Sequence, residues 1–410
     1  MTQPAIDPRR RELLAAAALF AALPQAARAA GKYDTGATDT EIKLGQFMPY
    51  SGPASAYGTI GRLHAAYFKM VNETGGINGR KITLISLDDG YSPPRAVEVT
   101  RRLVEQDEVL AMFCPLGTAS NTAVHKYLNA KKVPQLFVST GASKWGDPQH
   151  FPWTMGWNLS YRTEGAIYAK YLLKERPQAK VAVLYQNDDY GKDVLKGFKD
   201  GLGAGAAKTI VKEASYEVTD PTIDSQMIAL QGSGADTLLD ITTPKFGALA
   251  VRKAFDSGWK PLHIINNVSA SVGAVLVPAG VERSIGLVTV AYYKDPNDPQ
   301  WKDDPAMLEW RAFMGRHFRD GDPKDGGNLY AYLVAQVMVH VLRQCGDDLT
   351  RANLMRQAAN LKALRLPLLL PGMTIDTSPT DFYPIEAGQL ARFNGTQWEG
   401  FGEVIQASKV

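Results

Sequence analysis

Cysteine, histidine and net charge are all scarce in this chain, and each scarcity removes a class of function. Only Cys114 and Cys345 occur among 410 residues. Neither has a C-x-x-C neighbour, and their wide separation argues for two buried, unpaired thiols over a disulfide. Six histidines (His64, His125, His150, His263, His317 and His340) are scattered, with no pair at i, i+4. A zinc site therefore has no local support, and no metal or cofactor is expected. The formal charge is only +3, and residues 1–29 carry four arginines against two acids, so a chain without them sits near +1. Nothing in that balance attracts nucleic acid or an anionic membrane.

Catalytic signatures are missing too. The nearest segment to a G-x-S-x-G nucleophile elbow, Gly141-Ala142-Ser143-Lys144-Trp145, lacks the last glycine. Gly201-Leu202-Gly203-Ala204-Gly205 follows a helical pattern instead of a strand, which is wrong for a dinucleotide loop, and no P-loop sequence occurs. Asp88-Asp89 and Asp188-Asp189 are adjacent acids after strand patterns. Neighbours on extended chain point to opposite sides, so bracing of loop backbone is expected of them in place of acid–base work. The chain is not expected to be an enzyme.

Long apolar runs are absent after the first thirty residues. Arg9-Arg10-Arg11, the apolar stretch Leu13 to Leu23 and the small-x-small site Ala27-Arg28-Ala29 read as an export signal over 1–29. Its arginine pair suits the twin-arginine route, with an ordinary secretory signal as the alternative. The mature protein is then expected to be periplasmic.

From Glu41 onward strand-length apolar runs alternate with amphipathic helical segments. Strands are expected at Ile42–Met48, Lys81–Leu87, Val109–Phe113 and Val133–Ser139, with helices between them. The rhythm restarts near Tyr161, with strands at Val181–Tyr185, Thr209–Ala214, Thr237–Ile241, Leu262–Ile265 and Ile285–Tyr292. This βα alternation predicts an α/β chain of two doubly wound lobes. Ligands of such sheets settle at the C-terminal ends of strands. Two loops there carry small donors: Gly117-Thr118 opening a helix, and Ser139-Thr140-Gly141 on the next strand. Together they could grip a carboxylate.

Several stretches resemble the branched-chain amino-acid-binding proteins, periplasmic receptors of ATP-driven importers. They are IKLGQFMPYSGPASAYG from Ile42, NETGGINGRKITLISLDDGYSPPRAV from Asn72, KKVPQLFVSTGAS from Lys131, NDDYG from Asn187 and LAVRKAFDSGWK ending at Lys260. The resemblance implies a two-lobed flytrap, type I in its fold, with lobe 1 at 40–158 plus 286–365 and lobe 2 at 159–285 plus 366–410. It places Tyr57, Gly117 and Thr118 on the first lobe's ligand face, and Ser139 and Gly141 in the carboxylate loop. Tyr190 would cover the ligand, and Thr243 replaces a tyrosine found in some members. Trp145, Trp153, Trp157 and Tyr161 lie near the first lobe crossing and could supply stacking area, with core or surface packing as the alternative for most of them; Trp157 is the one expected at the ligand.

One departure carries most of the specificity argument. Amino-acid-binding members place a glutamate for the ammonium after the strand matching Leu262–Ile265, where this chain reads Asn266-Asn267-Val268, with no acid until Glu282. A buried ammonium left unpaired costs several kcal/mol. The expected ligand, touching Asn267, is therefore a carboxylate without an α-amino group, such as an aromatic, fatty or keto acid. Binding of an amino acid, and a sensor role in place of transport, are the alternatives. The expected partners are that small carboxylate and a membrane permease, with the receptor itself monomeric.

Overall fold

The computed structural model describes residues 31–409, so the expected export signal lies outside the described residues. In chain order the first strands are β1 (Lys32–Tyr33), β2 (Glu41–Met48), β3 (Lys81–Asp88), β4 (Ala111–Phe113), β5 (Gln135–Val138) and β6 (Thr154–Gly156). Then come β7 (Val181–Gln186), β8 (Ile210–Tyr216), β9 (Thr237–Ile241), β10 (Leu262–Ile265) and β11 (Val288–Ala291). The last are β12 (Asp348–Leu349), β13 (Ala387–Phe393) and β14 (Trp398–Gln406). Strands β3-β2-β4-β5-β6 form one sheet and β14-β13-β11-β10-β9-β7-β8 another, while β1 and β12 make a small parallel pair. The five-stranded sheet is wholly parallel. Its inner strands β4 and β5 are buried along their whole length, as helices on both faces require.

The second sheet ends in an antiparallel hairpin. Asn394-Gly395 lies in its turn, and β13 runs antiparallel to β11. Here the expected lobe boundary at 286 is corrected: Val288–Ala291 lies between β10 and β13, so the chain leaves the second lobe only after it. The alternating pattern marked the strand but not which sheet it would join.

The chain crosses between lobes three times: after β6, after β11 and before β13. The second and third crossings pair with one another. Tyr293 bridges Leu369, Leu370 N–H donates to the Tyr292 carbonyl at 3.0 Å, and Lys294 N–H donates to that of Leu368 at 2.9 Å. The helix Gly326–Cys345 packs across the helix Gly58–Glu73 in the first lobe, with Thr59 Oγ1 donating to Asn328 Oδ1 at 2.6 Å and Tyr67 edge-on to Tyr332 at 5.1 Å. No described helix is long and apolar enough to cross a membrane.

Both cysteines are free and buried, and burial pushes each thiol up to about 12. The thiolate is the reactive form. A thiol reagent at pH 8 is accordingly expected to leave the native protein unlabelled and to titrate two thiols once denaturant is added. Rapid labelling of either in the folded protein would contradict this packing.

Candidate functional site

A cleft lies between the two sheets, and every part of it is reached from the C-terminal end of a strand or the first turn of a helix. Tyr57 follows β2, Tyr91 follows β3, Gly117 and Thr118 follow β4, Ser139 and Thr140 follow β5, and Asn158 follows β6. From the other lobe come Tyr190 after β7, Thr243 after β9, Asn267 and Val268 after β10, and Tyr292 and Tyr293 after β11. The enclosed space is about 80 Å³, room for roughly six water-sized spheres. A compact solute fits it.

The donor end is built around the helix Thr118–Ala130. Gly117 precedes it with φ +102°, a left-handed conformation, and no side chain caps the first N–H groups. A Cβ on Gly117 would also come within 2.8 Å of the Tyr91 ring. The helix therefore presents free donors and the positive end of its dipole to the cleft. Thr118 Oγ1 and Thr140 Oγ1 lie 2.5 Å apart, so one hydroxyl proton serves the pair, and Thr140 is also hydrogen-bonded to the Tyr161 side chain. Tyr330 donates to Asn158 Oδ1 at 2.9 Å, which makes Ser139 Oγ the donor in its 2.7 Å bond to the Tyr330 hydroxyl. That serine is thus already engaged.

Beneath this surface the loops after β3 and β4 are braced by buried side chains. Asp89, fully buried, accepts from Tyr91 N–H at 3.0 Å and Ser120 Oγ at 2.7 Å. Asp88 takes the backbone of Tyr50, Ser51 and Gly90. The expected bracing role of this acid pair is what the structure displays. Asn121 Nδ2 donates to the carbonyls of Pro115 and Gly117 at 3.0 and 2.8 Å and is itself held through Oδ1 by Gln135 at 2.7 Å.

Eight of the expected site residues meet in the cleft: Tyr57, Gly117, Thr118, Ser139, Thr140, Tyr190, Thr243 and Asn267. Two do not. Trp157 is fully buried, edge-on to Phe137 at 5.8 Å. Its N–H continues the β5–β6 pairing, so alternation turns Trp157 into the core and Asn158 into the cleft. Gly141 acts one layer back, because its carbonyl accepts Tyr161 N–H at 2.7 Å and a Cβ there would strike the Leu159 carbonyl at 2.3 Å. It lets the first crossing pass and so sets the position of Tyr161.

Tyrosine, not tryptophan, supplies the aromatic wall. Seven tyrosines line the cleft: Tyr57, Tyr91, Tyr161, Tyr190, Tyr292, Tyr293 and Tyr330. Tyr190 and Tyr161 stand 5.1 Å apart at the lobe junction, and Tyr190 donates to the Thr242 carbonyl at 3.0 Å. The strand-end rule would have found Tyr91 and Tyr292 had it been applied to every strand. The expectation that nothing anionic faces the ligand also needs correction, for Asp325 lines the cleft. Its only sequence signal is that of a helix N-cap.

At Asn267 one amide N–H is spent structurally: Nδ2 donates to the Val290 carbonyl at 2.8 Å, and the backbone N–H donates to Glu164 Oε1 at 2.6 Å. Glu164 also accepts from the Tyr168 hydroxyl at 2.8 Å. The lobes are clasped on two sides of the cleft. Tyr57 donates to the Val268 carbonyl at 3.0 Å, Ser271 to Asp325 at 2.7 Å, and Lys144 pairs with Asp189 at 2.5 Å. Among the described residues no group of three His, Cys, Asp or Glu is placed to hold a metal ion.

Comparison with known proteins follows from this geometry. A family model described as periplasmic binding protein matches residues 41–397. The chain is 24% identical over 379 residues to a Leu/Ile/Val-binding protein homolog from Brucella suis, spanning 88% of this chain and 89% of that one. A branched chain amino acid ABC transporter protein of Thermus thermophilus with bound valine superposes with a TM-score of 0.80 at 15% identity, over 90% of this chain and 97% of that one. A fatty acid ABC transporter substrate-binding protein from Thermomonospora curvata gives 0.76 at 22%, over 92% and 95%.

Burial pushes the Glu164 carboxyl up to about 7. The folded protein then holds a proton that the unfolded chain has released, so this group's contribution is full below the ordinary glutamate range and is lost as pH rises through about 7. The loss amounts to roughly 3 kcal/mol. Glu164→Gln, whose Oε1 can still accept both bonds, is expected to flatten the stability profile between pH 5 and 8 in denaturant titrations. An unchanged profile would refute the assignment.

Proposed function

We propose a function from one premise: this chain belongs to the periplasmic binding protein family, as a type I receptor of the branched-chain amino acid receptor group. Proteins of this family bind small molecules and work with ABC transporter permeases, and this chain is a solute-binding receptor of that type. In our reading it is exported to the periplasm, does no chemistry of its own, and captures a compact carboxylate that lacks an α-amino group.

The observation that carries this reading is the contrast between two loops. After β4 and β5 the cleft offers an uncapped helix N-terminus and the Thr118–Thr140 hydroxyl pair. After β10 it offers an amide with one N–H already committed to Val290. Hydrogen bonds to a charged group contribute about 1.5–3 kcal/mol each. Three of them with the tyrosine walls around an apolar body support capture near the micromolar range, about −8 kcal/mol. Because the guest touches both lobes, its binding favours the closed arrangement over any open one. A second reading, an amino acid as ligand, is favoured by the relatives, which are named as Leu/Ile/Val-binding protein homologs.

A thermal-shift panel of aromatic, short fatty, keto and branched-chain amino acids separates the two. An acid without an α-amino group is expected to raise Tm more than leucine or valine does, and Thr118→Ala or Thr140→Ala to weaken it about ten- to a hundredfold. Stabilisation by leucine or valine alone would defeat the proposal.

A further inference from the structure

Asp325 is the one charged side chain that lines the cleft among the described residues, and no lysine, arginine or histidine faces it there. It is 8% exposed and belongs to no ion pair among the described residues. One oxygen is fully occupied: Oδ1 accepts from Ser271 Oγ at 2.7 Å across the lobe interface and from Gly327 N–H at 2.9 Å as the helix cap. The other oxygen, Oδ2, has no hydrogen-bond partner among the described residues. A structural cap and an interlobe contact need only Oδ1. Burial beside a cavity without cations disfavours the charged form of Asp325 and pushes its carboxyl above the usual carboxylate range, whereas a cationic group on the guest would favour the ionised form.

The donors for the guest's carboxylate belong to a separate network. Thr118 pairs with Thr140, and Ser139 with Tyr330 and Asn158, and none of these is bonded to Asp325 or Ser271. The cleft thus has a group of donors and, on a different element, one carboxylate. We propose that Asp325 is the specificity-determining residue for a cationic group carried on the body of the ligand, away from the carbon that bears its carboxylate. The solute class is then an ω-amino or similarly bipolar acid. This rests on the carboxylate reading above and narrows it. An acid with no such group would bring a second anion into the same enclosed space as Asp325, and the two would repel.

The test uses two matched pairs of probes, 5-aminopentanoate against pentanoate and 4-(aminomethyl)benzoate against 4-methylbenzoate, titrated calorimetrically into the full mature protein and into Asp325→Asn. Asparagine caps helices as well as aspartate and keeps an acceptor for Ser271 and Gly327, so the fold is retained. In the native protein at least one amine-bearing probe is expected to bind about tenfold or more tightly than its partner. In Asp325→Asn that preference should vanish, with the amine-free acid binding more tightly than before. A purely structural aspartate would not produce this crossing of preferences. Equal binding of the amine-free acids to both proteins would overturn the role of Asp325 while leaving the carboxylate reading intact. If leucine alone binds, the carboxylate reading falls on its own account. The Asp325 assignment then falls as well if Asp325→Asn leaves leucine affinity unchanged, and its placement away from the α-carbon falls in either case.

Discussion

An uncapped helix end is an unstable thing to bury, and the first lobe is organised around keeping one. The N–H groups at the start of Thr118–Ala130 have no side-chain partner, while the loop that delivers them is pinned by Asn121, and Asn121 by Gln135. The chain of bonds continues inward. Thr154 Oγ1 donates to Gln135 Oε1 at 3.1 Å and accepts from Asn129 at 2.8 Å. A buried polar network whose members are satisfied is rigid, because each displaced group would lose its partner without water to replace it. That rigidity keeps the donors in place in preference to letting them collapse onto the nearest carbonyl.

The two lobes meet the guest unequally. The first lobe supplies the paired threonine hydroxyls, the helix end and Asp325, whereas the second contributes Tyr161, Tyr190, Tyr292, Thr243, Asn267 and Ser271 among others. Polar contacts span the cleft without a guest, among them Tyr57 to Val268, Ser143 to Asp193, Ser271 to Asp325 and Lys144 to Asp189. Exposed pairs such as the last contribute little.

How far this could be read from residues depended on which physical rule applied. Parallel strands announce themselves as apolar runs between helical patterns, so β7, β9 and β10 were legible almost to the residue. The loops at their C-terminal ends followed by the same rule, and Thr118 and Thr140 with them. Sheet membership was not legible: Val288–Ala291 looks like any buried strand, and only pairing reveals its lobe. Nor was side-chain parity across a short strand, which separates Trp157 from Asn158. Asp325 was hidden for another reason. It caps a helix far along the chain, and a cap carries no mark that its second oxygen will open on a cleft formed by residues hundreds of positions away.

The paired crossings at Tyr292–Lys294 and Leu368–Leu370 bear on how such a clamp moves. A lone connecting segment can swivel about several backbone bonds, so lobes joined only by such segments would wander in twist as well as in angle. A hydrogen-bonded ribbon bends readily across its width but resists being wrung. With the remaining crossing beside it, the ribbon confines the lobes to swinging like a door on its pins. The same faces then return to register at every closure, and a permease reading the closed shape would meet one geometry on each cycle.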